Sequence, residues 1–448
     1  MPPITLDSTN PHYLNWQGRP AVLMTSGEHY GAVMNTAFDM VPYLDALAAD
    51  GLNLTRTFAG TYRELPGEFG IIDNTMAPAP EAFVCPWKRV DADEGFRAGG
   101  RFDLTQWDEA YFERLKAFLA EAARREIVVE LVLFCFLYND DLWHYCPLHA
   151  DGAVAGGGSG PRHGLYAPPA DNPLIGAQEA VVRKIVTELN GFDNLYYEIM
   201  NEPYSCHDHT AFEPWQDHMV DIIVETEREL PNRHLVAMNV QNRTMRVATL
   251  HPEVSIVNFH YAEPEAVMGN YHWNRVIGDD ETGFKGQAAA PYRREMWRFM
   301  LAGGGVFSHL DYSFTVTHPD GTAPITGETP GFGSPEWRRQ VGVCKRFMED
   351  LDLPAMAPHN EAIRFHGGDS ETCRVLADPG RTYAVYAYGG KRATLALSVP
   401  TGRYRATWVR PADGMIVREE TCDLEAPAGP LTSPLYAEDI VLKLVRVA

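Results

Sequence analysis

The sequence predicts an α/β fold, a (β/α)8 barrel followed by a small C-terminal all-β sandwich, and three observations carry that prediction. From about residue 20, short β-rich apolar runs alternate with amphipathic helical stretches; eight such runs precede residue 350; and the pattern then changes to period-2 alternation. Strands that alternate with helices pair in parallel, and eight of them is the count of a TIM barrel.

The elements follow in order. Pro20–Thr25 reads as the first strand, and a helix around 39–49 repeats Met40, Tyr43, Leu44 and Leu47 at helical spacing. Gly51 ends that helix and opens the second strand, Leu52–Phe58. After a long excursion over 61–105 come a helix at Trp107–Arg125 and a third strand, Ile127–Phe136, apolar on both faces as a buried parallel strand should be. The Gly-rich stretch 151–164 reads as loop. A helix at 174–190 leads to strand four, Leu195–Met200, and a helix at 212–230 to strand five, His234–Val240. Strands six to eight fit Ser255–His260, Val276–Gly278 and Gly305–Leu310, the last after a helix at 291–301. A Pro-punctuated linker, Leu353–Pro358, separates a barrel over 1–353 from a sandwich over 360–448, whose runs Thr382–Tyr388 and Ala393–Val399 are divided by turns at Gly389-Gly390 and Thr401-Gly402.

Composition narrows the function. With 38 Lys+Arg against 60 Asp+Glu the net charge is −22, which disfavours nucleic acid or an anionic membrane as partner, since both require a basic face. Hydrophobic residues at 45% and charged residues at 22% are ordinary for a globular chain, so intrinsic disorder is excluded. The 20 Tyr, 20 Phe, 9 Trp and 16 His include flat rings and imidazoles suited to polar, uncharged ligands, although most rings belong in a core. The start, Met1-Pro2-Pro3-Ile4-Thr5-Leu6-Asp7, lacks the pattern of a secretory signal, so a cytoplasmic location is expected. The longest apolar run, Ile127–Tyr138, contains Glu130 and is too short to span a bilayer. Seven widely spaced cysteines without a CxxC read as reduced, mostly structural thiols.

In such a barrel the chemistry sits where strands end, and these ends are polar. Strand one runs into Gly27-Glu28-His29-Tyr30, strand two carries Arg56, strand four ends in Asn201-Glu202-Pro203, strand six in His260-Tyr261, strand seven in Asp279-Asp280-Glu281, and strand eight in His309-Leu310-Asp311. Carboxylates at the ends of strands four and seven face each other across the mouth. That geometry suits glycoside hydrolysis, in which one protonated carboxyl serves the leaving oxygen while an ionised one attacks or activates water. An arginine would hold one partner ionised, and desolvation among rings would raise the other.

Asn201-Glu202-Pro203 after an apolar strand, Glu281 in Asp280-Glu281-Thr282-Gly283-Phe284, Arg56 on strand two and His260-Tyr261 on strand six together resemble the retaining glycoside hydrolases of the (β/α)8 clan that includes the cellulase-like families. The resemblance covers about residues 10–350. It implies Glu202 as general acid/base, Glu281 as nucleophile, Asn201 on the sugar 2-hydroxyl, Arg56 and Tyr261 positioning and ionising Glu281, and His260 lining the subsite. It implies a carbohydrate substrate and no cofactor or metal, and it assigns no oligomeric state. Cytoplasmic residence favours exo-action on β-linked glycosides or short oligosaccharides; an endo-β-glycanase and a silent sugar-binding barrel stay open.

One departure concerns strand eight. The expected Trp platform is replaced there by Ser308-His309-Leu310-Asp311-Tyr312, which suggests a polar clamp and a sugar other than cellulose-type glucan. His29, Glu28, His309 and Asp311 are therefore candidate substrate-binding residues, and Trp143 and Trp273 candidate stacking residues. Cys206-His207-Asp208-His209 holds ligand types for a metal but lacks a matching second cluster, and is read as incidental. Gly303-Gly304-Gly305 precedes a strand and is not a phosphate loop.

Overall fold

The structure, a computed structural model, describes residues 2–91, 100–204, 211–368, 372–425 and 430–447. Eight strands form one parallel sheet: β1 (Leu23–Gly27), β2 (Leu54–Phe58), β3 (Val128–Cys135), β4 (Leu195–Asn201), β5 (Leu235–Asn239), β6 (Val254–His260), β7 (Val276–Glu281) and β8 (Val306–Leu310). The ladder runs β1-β8-β7-β6-β5-β4-β3-β2. At the remaining seam, the Asn53 side chain takes the place of a ladder. Its Oδ1 accepts from Met24 N–H at 3.0 Å and its Nδ2 donates to Val22 C=O at 2.9 Å.

The barrel interior changes character from bottom to top. Each strand contributes one early residue (Leu23, Leu54, Val128, Tyr196, Ala237, Ile256, Val276, Val306) to an apolar cluster, which an N-terminal three-stranded antiparallel sheet closes with Ile4, Leu14 and Trp16. Two residues further along β2, β3, β4 and β6, the same face carries Arg56, Glu130, Glu198 and Asn258, all buried. Gly278 makes room for this polar layer, because a Cβ there would sit 2.4 Å from Asn258 Oδ1. Helices such as Glu109–Ala123, capped by Asp108 and burying Tyr111, Phe112, Leu115, Phe118, Leu119 and Ala122, cover the outside.

Several sequence expectations are corrected. The first strand, expected at Pro20–Thr25, divides: Arg19–Ala21 joins the N-terminal sheet and β1 starts at Leu23. Strand seven extends to Glu281, because buried partners hold its three carboxylates inside the sheet. The stretch 151–164 is not all loop; Ala153–Ala155 pairs in parallel with Arg101–Trp107, a tertiary pairing that local composition does not encode. Six described cysteines are free, five of them buried. Among the described residues no helix is long and apolar enough to cross a membrane.

The C-terminal part stacks a six-stranded antiparallel sheet on a three-stranded one. Strand Thr382–Tyr388 shows why its period-2 run is apolar on both faces. Tyr383, Val385 and Ala387 enter the sandwich core, whereas Ala384 and Tyr386 face the barrel core. There Tyr386 stacks on Trp297 of the helix Ala289–Met300, with centroids 5.8 Å apart. Asp439 Oδ2 accepts from Arg293 Nε of that helix at 2.8 Å and from Tyr386 OH at 2.9 Å, and Arg293 also donates to Gln340. Removing one partner of a buried ion pair leaves the other charge uncompensated. Asp439→Ala is therefore expected to cost about 3 kcal/mol in urea denaturation, while Asp350→Ala, which removes the exposed partner of Lys443, should cost no more than about 1 kcal/mol.

Candidate active site at the barrel mouth

One guanidinium organises the barrel interior. Arg56, fully buried on β2, donates through Nη2 to Glu198 Oε1 at 2.5 Å and to Asn201 Oδ1 at 2.8 Å. Its Nε lies 3.2 Å from Asp280 Oδ2 and 3.9 Å from Glu130 Oε2, and its Nη1 lies 3.4 Å from Glu281 Oε2. The Tyr30 ring covers it, with Cζ 4.6 Å from the ring centre. One cation among four carboxylates cannot leave all four ionised. Burial and the Glu198 charge push Asp280 and Glu130 well above the usual carboxylate range. Burial also opposes ionisation of Glu198, but Arg56 and a hydrogen bond from Asp280 outweigh it and hold that carboxyl down.

Above this layer stand the two carboxylates at the ends of β4 and β7. Glu281 accepts from Tyr261 OH at 2.6 Å and from Tyr30 OH at 3.0 Å, in addition to Arg56. Three donors thus converge on one carboxylate. Glu202 accepts from Tyr138 OH at 2.6 Å and Asn242 Nδ2 at 2.7 Å, while His260 Nδ1 lies 2.8 Å from its Oε1. His260 Nδ1 is also 3.6 Å from Glu281 Oε1, and the ligand atoms of Glu202, His260 and Glu281 all fall within 4.8 Å of one another. Tyr30, Glu202 and Tyr261, at φ of 57°, 49° and 54°, adopt the left-handed conformation just beyond their strands. Non-glycine residues rarely hold it, and here it brings Glu202 to the mouth and both phenols onto Glu281.

The carboxylates floor a cavity of about 1050 Å³. Of the residues singled out in the sequence, Glu202, Glu281, Asn201, His260, Tyr261 and His29 line it, and Arg56 lies just beneath. The others do not reach it. Glu28 turns under its own loop, accepting from the Gly31 and Ala32 N–H groups and from Thr75 OH; burial nevertheless pushes its carboxyl up to about 7. His309, with no exposed surface, meets Ser26 and Trp337 Nε1, and burial lowers it to about 3. Asp311 is bound by Ser26, Ser313 and Arg338. The polar clamp expected at strand eight thus faces the surrounding helices. Trp143 is buried, donating to Gly160 C=O, and Trp273 immediately precedes β7, at the opposite end of the barrel. The cluster Cys206-His207-Asp208-His209 lies outside the described residues.

The sequence reading missed Tyr138, Asn242 and Asn239, which fix Glu202 through both carboxylate oxygens and its backbone N–H. It also missed Glu64 beside His29. Asn239 ends β5 and was legible as a polar strand end; the others sit on loops whose course only the fold sets.

Glu202, Glu281 and His260 offer donor types for a cation, but Arg56 and the two tyrosines already direct positive charge and protons at Glu281. On the surface, His144, His149 and Asp151 converge. There His149 Nδ1 accepts the Asp151 N–H, which places the proton of the neutral ring on Nε2 and leaves no lone pair for a metal.

Fold and site define a class, a (β/α)8 barrel with a paired-carboxylate mouth. No protein-family model and no curated protein matches the sequence. Among solved structures, the chain is similar to a glycoside hydrolase family 5 protein of Bacteroides vulgatus: TM-score 0.67, 13% identity, 99% of this chain and 93% of the other covered. A protein described only as a glycoside hydrolase has TM-score 0.65 at 12% identity, covering 99% and 97%. A candidate glycoside hydrolase of B. vulgatus has TM-score 0.68 at 14% identity, covering 100% and 82%. At these identities the likeness establishes the fold.

Burial opposes ionisation of Glu202, yet the hydrogen bond and charge of His260, with Tyr138 and Asn242, outweigh it and hold the carboxyl below its ordinary 4.5. A carboxyl depressed in the folded state stabilises above its unfolded pKa, and that contribution disappears as pH falls through the folded value. Glu202→Gln should therefore be less stable than the unmodified protein at pH 7, and the gap in denaturation midpoint should narrow as the pH falls below the ordinary 4.5.

Proposed function

We propose that the protein is a retaining glycosidase acting on β-linked glycosides or short oligosaccharides. The observation that carries this reading is the proximity of the Glu202 and Glu281 carboxylates, whose nearest oxygens lie within 4.8 Å at the floor of one cavity. Retention by a covalent intermediate uses carboxyl groups about 5–5.5 Å apart, whereas inversion leaves room for water at about 6.5–9.5 Å. The likeness to solved glycoside hydrolases and the strand-end residues support the same assignment.

In the first step Glu281, held by Tyr261, Tyr30 and Arg56, attacks the anomeric carbon while Glu202 protonates the departing oxygen. Without substrate Glu202 is held low rather than raised, contrary to the expectation of an acid kept neutral by its surroundings. A sugar filling the cavity removes the remaining water from Glu202, which disfavours its ionised form and favours the protonated acid. Glu202 then accepts a proton from the water that releases the sugar from Glu281. Asn201, fixed by Arg56, presents its amide to the sugar ring. The sandwich over 360–448, in the proposed division at the Leu353–Pro358 linker, buttresses the helix Ala289–Met300.

A panel of 4-nitrophenyl glycosides tests this reading. At least one β-glycoside should release nitrophenol, with the first-formed anomer, followed by NMR, being β. Glu281→Gln should lower kcat by about 10³-fold or more. Glu202→Gln should lose less on 2,4-dinitrophenyl than on methyl glycosides, because a good leaving group does not need the acid. Failure of every glycoside to react, alongside measurable sugar binding, would leave a sugar-binding barrel; an α-anomer as first product would overturn retention. Reducing-end analysis of oligosaccharide digests separates the exo-action favoured here from endo-cleavage.

A further inference from the structure

The cavity floor divides by chemistry. The ring under attack lies over the nucleophile, whereas the acid must reach the bridging oxygen and the group that leaves with it. Glu281, Tyr30, His29 and Glu64 therefore mark the glycon side, and Glu202, Asn242, Tyr204 and Arg243 the leaving-group side.

On the glycon side one carboxylate has no part in the reaction. Glu64 Oε2 accepts from His29 Nε2 at 3.0 Å and from Asn74 Nδ2 at 2.5 Å, and Oε1 from Tyr62 OH at 3.3 Å. Its backbone is fixed by the N–H bond to Met76 C=O, and Asn74 in turn by Met76 N–H. The side chain is only 5% exposed, yet both Glu64 and His29 line the cavity. A carboxylate has about four acceptor positions. Among the described residues Oε1 has one partner, so it retains a lone pair where the sugar would lie. Burial disfavours charge on His29, but Glu64, with Glu281 and Glu28, outweighs it and raises the imidazole above its ordinary value. The pair thus offers an acceptor oxygen and an imidazole, side by side and pre-oriented.

Resting on the glycosidase reading, we propose that Glu64, oriented by Tyr62, Asn74 and His29, reads hydroxyl groups of the glycon and selects a neutral, unsubstituted sugar over a uronic acid. A hydroxyl donates to the free lone pair of Oε1. A uronate would place another carboxylate beside Glu64 and Glu281, and like charges held close together disfavour each other. A site built to bond a hydroxyl also rejects the analogue that lacks it, because its own polar group is left unpaired.

The test takes the fastest substrate among 4-nitrophenyl β-glucoside, β-galactoside, β-mannoside and β-xyloside, with its 3-deoxy and 4-deoxy analogues and 4-nitrophenyl β-glucuronide. Glu64→Gln should lower kcat/KM about 30-fold on the parent, but no more than about threefold on the analogue lacking the hydroxyl that Glu64 reads. The unmodified enzyme should turn over the glucuronide at least about 100-fold more slowly than the parent, and Glu64→Gln should narrow that gap. An equal loss on parent and both deoxy analogues, or ready hydrolysis of the glucuronide, would overturn the proposal. Ligand-observed NMR titration with the methyl β-glycosides separates it from the glycosidase reading. Binding weakened by Glu64→Gln in a protein without turnover keeps the clamp and removes the activity, whereas binding that is absent or unchanged by the substitution removes the clamp. If Glu64→Gln fails to fold, Glu64→Asp, which keeps the charge but withdraws it by one methylene, is measured against the same criteria.

Discussion

The interior of this barrel depends on one buried cation. Arg56 stands within 4 Å of Glu130, Glu198, Asp280 and Glu281 and has no exposed side-chain surface. Without it, four carboxylates would share a space closed to water, at a desolvation cost of several kcal/mol for each that stayed charged. With it, Glu198 is held below its ordinary pKa while Glu130 and Asp280 are pushed well above theirs, and Glu281 receives a guanidinium hydrogen bond at the layer's upper edge. The apolar plug below and the polar mouth above meet across this intermediate layer, in which a buried cation faces the carboxylates.

From that layer upward, positioning is shared between the sheet and the turns that leave it. Register sets which strand ends are neighbours: His260 pairs with Glu281 across β6 and β7, and Asn201 with Cys135 across β4 and β3. Left-handed backbone at Tyr30, Glu202 and Tyr261 then aims each side chain inward. Such conformations cost about 1–3 kcal/mol each, and the hydrogen bonds these residues make to or around the carboxylates help to hold them. The two carboxylates differ accordingly: Glu281 faces a guanidinium and two phenols, Glu202 an imidazole, a phenol and an amide. That difference in surroundings gives two chemically identical groups different environments.

How much of this was legible in the chain varies residue by residue. Glu202 could be found because a carboxylate following a long apolar strand is costly unless the strand end faces a site, and Glu281 from its setting in Glu281-Thr282-Gly283-Phe284. His309 and Asp311 satisfy the same rule and are nevertheless absent from the cavity. Their side chains point to the helix layer, where Trp337, Ser26 and Arg338 receive them, and the sequence does not record to which face a strand-end residue turns. Glu64 was invisible for a different reason: it lies in an irregular excursion without periodicity, and its place beside His29 follows from how that excursion folds back through Asn74 and Met76.

By itself the sequence determined the eight strands, the helices between them, the β-rich C-terminal part and the strand ends at which chemistry was expected. Each of these is a local matter of apolar periodicity and of polar residues interrupting it. Only the tertiary structure decided which of those polar residues share a cavity, that Asp280 is buried beneath the mouth while its neighbour Glu281 stands in it, and that Arg56 serves four carboxylates rather than one. Side-chain direction at a strand end depends on bulges, left-handed turns and the partners that meet it, all of which arise between segments distant in the chain.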